Sequence, residues 1–506
     1  MRIRVRQAVR GERSQGDDGH VVGGNDRKIG DLAARRRRRL WIGATAAATA
    51  LLLAVAAVLL VVRPWTPEFR HGGLTVAAPP APVKAFPRVT PATEAPAPSP
   101  AGVSTALAAA VTNPDLGAFT GIVTDAESGV TLWSADPGRP MIPSSTAKIL
   151  TAAAALLALP ADRRVATEVV VGSAPGELVL VGGGDPTLTA QPDGKGYYPN
   201  AARLSDLVDQ IKASGRAVDT IVVDTSAFSG PTMARGWDPI DVPEGSIAPI
   251  EPVMIDGGRL SPLVEYSPRT TEPALDAGRA LATALGLDPA RVRAGTAAPD
   301  AAEVAAVHSA PLRDRLRDMM VHSDNVLAET IGREIALATG HEPSFTGAVA
   351  AVRATLEKAG FDVSGMDMHD TSGLSVDDRL PARLLDKVIA TAAQPTGTAL
   401  ARPAGTKAEP ESDRLAATLA PLLDQLPVAG ATGSLAERYV TRNREGAGWV
   451  RAKTGTLTVA SALVGYVLDR DGRVLTFALM SNDRPPEVSR PALDAIAGTL
   501  RNCGCS

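Results

Sequence analysis

Residues 40–62, LWIGATAAATALLLAVAAVLLVV, run for 23 positions without a charge. No other feature limits the fold so strongly. About 20 consecutive apolar residues let a helix cross a bilayer with its backbone hydrogen bonds satisfied internally. Five arginines, Arg35–Arg39, precede the run directly, and only Arg63 follows closely. By the positive-inside rule, residues 1–39 form a cytoplasmic leader and residues 63–506 face outward. The rival is a cleaved signal peptide, whose apolar core normally spans about 7–15 residues with a small-residue cleavage site behind it. Here the run is longer and ends at Arg63-Pro64-Trp65. The expectation is a single-pass anchor in the cell membrane.

The leader carries twelve Lys/Arg against five Asp/Glu, so with a net charge of −3 for the chain, the remainder sums to −10. A basic leader on an acidic body does not point to nucleic-acid binding by the body. Residues 63–102 are rich in Pro and Ala and read as a semi-rigid linker. With 45% hydrophobic and 21% charged residues, the rest has ordinary globular composition and length for a large core. The two cysteines, Cys503 and Cys505, lie at the C-terminus, where they support neither a disulfide framework nor a four-ligand metal site. The six histidines show no metal-binding spacing, so no cofactor is expected.

From about Val103 the pattern becomes globular. The segment LGAFTGIVTDAESGVTLWSADP alternates and breaks at Gly, as a hairpin does. Residues 166–290 mix short strands with a helix near 201–215, and GWVRAKTGTLTVASALVGYVLDRDGRVLTFALMSND yields three β-rich runs before a final helix at roughly 489–501. Strands at both ends with helices between them predict one α/β domain of residues 103–165 and 291–506. Residues 166–290 are then an inserted domain, expected to stand apart from the chemistry.

Three short motifs carry chemical interest. In MIPSSTAKILTAAAALLALP, residues 141–160, Ser145 and Lys148 are three apart and share a helix face. Either a helix is being capped with spare serines or a nucleophile is being set beside its base. Ser323-Asp324-Asn325 interrupts an apolar helical region, where polar residues fit a turn between helices or a cleft. Lys453-Thr454-Gly455-Thr456 opens a β-run, and Gly455 would let a ligand or another segment approach the strand closely. Each alone reads more readily as local structure. Together, in this order, they form the S-x-x-K, S-x-N, K-T-G set of serine β-lactamases and penicillin-binding proteins.

The resemblance narrows further. GGGDPTL at 182–188, DTSGLSVDDRL at 370–380 and LPVAGATGSLAER at 426–438 resemble segments of the class C low-molecular-mass penicillin-binding proteins, the D-alanyl-D-alanine carboxypeptidase/endopeptidase family. The likeness runs from about Val103 to Leu500. It implies a transpeptidase-like fold in which helices flank an antiparallel sheet. The interval from Lys148 to Ser323 is short for the family and fits one inserted domain rather than two.

On this resemblance Ser145 is the nucleophile and Lys148 its base, able to act only when neutral, with burial and nearby Lys453 lowering its pKa. Ser323 relays a proton to the leaving amine, and Asn325 binds the substrate backbone and helps hold Lys148. Lys453 and Thr454 read the terminal carboxylate beside Gly455, and the Ser145 and Thr456 N–H groups hold the oxyanion. The implied partners are peptidoglycan stem peptides ending in D-Ala-D-Ala, and β-lactams. A β-lactamase would share the chemistry but need neither stalk nor insert, and no deacylation glutamate stands out. A silent wall-binding or sensor module would show substituted motif residues, and all are intact. A Ser-His-Asp hydrolase lacks its G-x-S-x-G turn.

Overall fold

The structure is a computed structural model that describes residues 49–62, 95–395 and 410–504. Its contacts divide the chain into two units, Met1–Val89 and Thr90–Ser506. In the first unit residues 49–62 are helical. Among the described residues no helix is long and apolar enough to cross a membrane. Residues 40–48 of the expected anchor lie outside the described residues.

Folded structure in the second unit starts earlier than composition implies. Helix α1 (Pro100–Val111) has Ser99 as its N-cap, the Ser99 Oγ accepting from the Gly102 N–H at 3.0 Å, and Pro100 at its first position. Val103 and Leu107, four apart, are fully buried. The Ala95 carbonyl accepts from Arg473 at 3.3 Å. The last residues of the expected linker, 95–102, therefore belong to the body. Pro and Ser start helices as readily as they stiffen linkers.

Next along the chain come β1 (Ala118–Asp125), β2 (Thr131–Ala135) and, after a 3-10 turn at Ser144–Ala147, α2 (Lys148–Ala158). The inserted region follows with β3 (Ala166–Val171), β4 (Glu177–Gly182), α3 (Leu204–Ala213), β5 (Thr220–Asp224), α4 (Pro273–Leu285), β6 (Arg293–Gly295) and β7 (Glu303–His308). The chain returns to the body through α5 (Leu312–Val321), α6 (Asn325–Thr339) and α7 (Ala382–Ala393). It closes with β8 (Val450–Leu457), β9 (Ala460–Leu468), β10 (Val474–Asn482) and α8 (Pro486–Arg501).

The body sheet has the order β8-β9-β10-β1-β2 and is antiparallel throughout. The first two and last three strands thus build one sheet, as the distribution of strands predicts. Its residues alternate between two cores. Ala462, Val464, Ala478 and Met480 face a core shared with Leu150, Leu327 and Leu385 of α2, α6 and α7. Leu463, Leu475, Phe477 and Leu479 face a second core with Leu107 of α1 and Leu493 of α8. In β8, Val450 and Ala452 belong to the second core. Strand alternation then puts Thr454 and Thr456 on the α8 side, and Lys453 and Gly455 on the α2 side.

The insert has its own sheet, ordered β6-β5-β4-β3-β7, with β4, β5 and β6 parallel and β3 antiparallel to both its neighbours. Leu180, Val223, Leu207 and Leu281 join a core separate from those of the body. The insert also runs further than residue 290. Glu303–His308 pairs with β3, so its last strand ends at residue 308. That strand is only six residues and leads straight into a helix, which hides its alternation in the sequence.

Candidate active site

The S-x-x-K segment enters the body as one turn of 3-10 helix, and α2 begins at Lys148. Ser144 adopts a left-handed φ of 48°, is fully buried and leaves its Oγ without a partner among the described residues, whereas Ser145 is partly open to the cleft. The turn thus offers one serine to solvent and hides the other. The close fit beneath it explains two glycines. A Cβ on Gly455 would come within 2.6 Å of the Pro143 carbonyl, and one on Gly373 within 2.0 Å of the Ser144 carbonyl. At Gly455 the strand is therefore approached by the nucleophile's own turn. Gly373, in a 77° left-handed conformation, is an equal constraint that the motif reading passed over.

Lys148 is fully buried. Its ammonium donates to Ser145 Oγ at 2.9 Å, to Asn325 Oδ1 at 2.6 Å and to the Ser372 carbonyl at 2.8 Å. Burial lowers its pKa to about 8, against the opposing pull of Asp370, Glu329 and Asp324. Lys453, also fully buried, donates to Ser323 Oγ at 2.9 Å and to the Thr454 carbonyl at 2.8 Å. Burial pushes it well below the ordinary lysine value, and the neighbouring Lys148 charge pushes it further. Desolvation is the larger cause at both lysines; the Lys148 charge adds to the lowering at Lys453, whereas the expected contribution of Lys453 is not among the causes at Lys148.

Ser323 sits at a left-handed φ of 59° between α5 and α6, and Asp324 caps α6 by accepting from the Leu327 N–H at 2.9 Å. Its other oxygen accepts from Tyr198 at 2.9 Å and from Arg259 at 3.2 Å. Burial raises the Asp324 carboxyl, but Arg259, Arg269 and these hydrogen bonds outweigh it and hold it below its usual value. Asn325 donates through Nδ2 to the Ser246 carbonyl at 3.0 Å.

Tyr198, Ser246 and Arg259 all belong to the inserted region. Tyr197, Asp241, Arg259, Tyr266 and Arg269 line the same cavity of about 430 Å³ as Ser145, Ser323, Asn325, Thr454 and Thr456. The expectation that residues 166–290 stand apart from the chemistry is therefore corrected. Their strands form a separate sheet, but their loops make one wall of the cleft. Nothing in the local sequence signals this, because the contacts are backbone carbonyls and long-range ion pairs.

The sequence reading pairs Lys453 with Thr454 on one carboxylate. They lie on opposite faces of β8, and Lys453 is spent on Ser323 and a carbonyl beneath the cleft. Thr454 donates to Ser434 Oγ at 2.6 Å. Ser434 lies in the LPVAGATGSLAER segment singled out above, yet no role was attached to it. Among the described residues, no group of His, Cys, Asp and Glu could hold a metal ion.

With this geometry in hand, the comparisons with known proteins are specific. Residues 103–270, 264–402 and 411–503 match the family described as D-Ala-D-Ala carboxypeptidase 3 (S13). Carboxypeptidase DacB of Mycolicibacterium smegmatis is 50% identical over 86% of this chain and 92% of its own length. A D-alanyl-D-alanine carboxypeptidase of Actinomadura sp. is 29% identical over 76% of this chain and 81% of its own. The crystal structure of penicillin binding protein 4 from Haemophilus influenzae superposes with a TM-score of 0.62 at 19% identity, over 78% of this chain and 97% of that one. That match establishes a shared α/β fold.

Proposed function

The chain belongs to the D-Ala-D-Ala carboxypeptidase 3 (S13) family and is a serine-type carboxypeptidase, and we propose that it works through an acyl-enzyme on Ser145. One observation carries the assignment. A partly accessible serine hydroxyl lies 2.9 Å from a buried lysine whose pKa is about 8, close enough to neutrality to serve as a base.

Neutral Lys148 takes the proton from Ser145 Oγ, which attacks the carbonyl between two D-alanines of a peptidoglycan stem. The Ser145 and Thr456 N–H groups receive the developing oxyanion. As the C–N bond breaks, Ser323 passes a proton to the leaving amine, with Lys453 resupplying it along their 2.9 Å hydrogen bond. Free D-alanine departs and an ester on Ser145 remains, which water hydrolyses. A β-lactam enters by the same attack, but its leaving group stays tethered and deacylation is slow. The H. influenzae protein has been crystallised in complex with a β-lactam, which supports β-lactam binding here.

The domain plan follows from the same reading. Residues 95–165 and 309–506 form the catalytic body and residues 166–308 the insert. The uncharged run 40–62 anchors them in the cell membrane, with the body on the extracytoplasmic side where stem peptides are found. Fluorescent penicillin labelling followed by mass mapping tests the chemistry. Modification at Ser145, lost in Ser145→Ala, is expected; modification at another serine would overturn the assignment. Protease added to intact spheroplasts should digest the body and spare the leader.

A further inference from the structure

Four arginines line the cleft: Arg259, Arg269, Arg438 and Arg490. Three are already engaged. Arg259 pairs with Asp324, and Arg438 grips Asp494 through two hydrogen bonds, its Nε at 3.0 Å and its Nη2 at 2.5 Å. Arg269 donates to the Gly245 and Gly257 carbonyls at 3.1 Å and 2.6 Å. Arg490 differs. It stands on α8, and its Nε donates to Thr456 Oγ1 at 3.2 Å, with no carboxylate in ion-pairing reach among the described residues. Desolvation and the Arg438 guanidinium disfavour its charge and outweigh the more distant pull of Glu487, Tyr266 and Asp494, a cost that an anion in the cleft would offset.

We propose that Arg490, with the Thr454 and Thr456 hydroxyls, reads the free carboxylate of the leaving group, a role that Lys453 cannot fill from beneath the cleft. The assignment rests on the carboxypeptidase reading above. Alternation along β8 puts Thr454 and Thr456 on the face of the sheet that α8 covers, so the two hydroxyls and the guanidinium converge at one end of the strand. Arginine suits the task because its planar fork matches a carboxylate with two parallel hydrogen bonds. The contact also sets the scissile carbonyl against Ser145, so it acts on turnover and not on binding alone.

The test compares an acyl-D-Ala-D-Ala peptide with its C-terminal amide, using the full-length chain and its Arg490→Ala, Arg490→Lys and Arg490→Glu variants. The position is solvent-accessible and, among the described residues, Thr456 is the one side chain hydrogen-bonded to its guanidinium, so all three are expected to fold. Native enzyme is expected to prefer the acid. Arg490→Ala should lose roughly ten- to a hundredfold of that kcat/KM preference, the scale of a hydrogen bond to a charged group. Arg490→Lys should recover part of it, and Arg490→Glu should fall below the alanine variant. An Arg490→Ala enzyme that keeps the acid preference would overturn this assignment and leave the hydrolase intact. A native enzyme that hydrolyses neither peptide, with Ser145 unlabelled by penicillin, would instead overturn the carboxypeptidase reading and this assignment with it.

Discussion

The two five-stranded sheets serve the cleft in different ways. The body sheet and its helices supply side chains at motif positions: Ser145 and Lys148 at the head of α2, Ser323 and Asn325 before and at the start of α6, and Thr454 on β8. The insert supplies support. It offers the Ser246 carbonyl to Asn325 and the Arg259–Tyr198 pair to Asp324, and it stacks Tyr197 on Arg259 at 3.5 Å. Groups that react must be of particular residue types at particular spacings. Groups that merely hold them can be backbone or come from anywhere in the chain. The comparison separates chemistry, placed in the body, from the positioning that the insert provides.

The sharpest way to break that division is to remove chemistry from the body while the insert is untouched. Lys148→Arg keeps the charge but cannot give up a proton at any accessible pH. Its acylation rate by penicillin should fall by about 10²–10⁴-fold, the usual worth of a positioned general base. Circular dichroism should show the fold retained. Ser145→Ala should abolish labelling outright, and Ser144→Ala should keep it. A folded Lys148→Arg enzyme with near-normal acylation would take the base out of the body altogether.

The converse experiment strikes the insert. The Arg259 and Asp324 side chains are 1% and 4% exposed. Arg259→Met leaves the Asp324 carboxylate buried without its cation, a change that costs about 3–5 kcal/mol in comparable buried pairs. Urea denaturation should show a loss of that size, and penicillin acylation should fall with it because Ser323 and Asn325 flank Asp324. If the insert were only appended, the variant would lose stability in the insert and keep acylation at Ser145.

The sequence made the reacting groups legible and left their surroundings obscure, for physical reasons. Ser145 and Lys148 are one turn apart, so local periodicity alone brings them together. The body sheet was readable because its strands are β-rich runs bounded by turn residues and cluster at the two ends of the catalytic segment. Which face Lys453 takes is not readable from the motif, because a motif is a string, whereas neighbouring residues on a strand point to opposite faces. The insert's reach to residue 308, Gly373 beneath Ser144, and Ser246 against Asn325 left no local trace. Each depends on segments that meet only after folding.

The balance between the regions also has a pH signature. Lys148 serves as a base only when neutral, and burial brings its pKa to about 8. The neutral fraction rises with pH, so the acylation rate constant should climb about tenfold per unit below that value and level off above it. Removing Asp324's negative charge with Asp324→Asn takes away one of the groups that favour the ammonium. The inflection should then move to lower pH. An inflection that stays in place would mean that the motif's middle residue, and the insert behind it, do not tune the base.

The smallest predicted effect separates the two kinds of contribution most cleanly. Ser434 and Ser246 both touch a motif residue, the first through its hydroxyl on Thr454 at 2.6 Å and the second through its carbonyl on Asn325 at 3.0 Å. Alanine deletes a hydroxyl and leaves a carbonyl where it was. Ser434→Ala should therefore leave the Thr454 hydroxyl without the partner that fixes its orientation and lower kcat/KM on a D-Ala-D-Ala peptide by roughly two- to tenfold, in line with about 0.5–1.5 kcal/mol for one neutral hydrogen bond. Ser246→Ala should leave kcat/KM unchanged within error, since its bond to Asn325 survives. A measurable loss in Ser246→Ala would mean that the insert presents a working side chain to the cleft, and the division between chemistry and support would fail at that point.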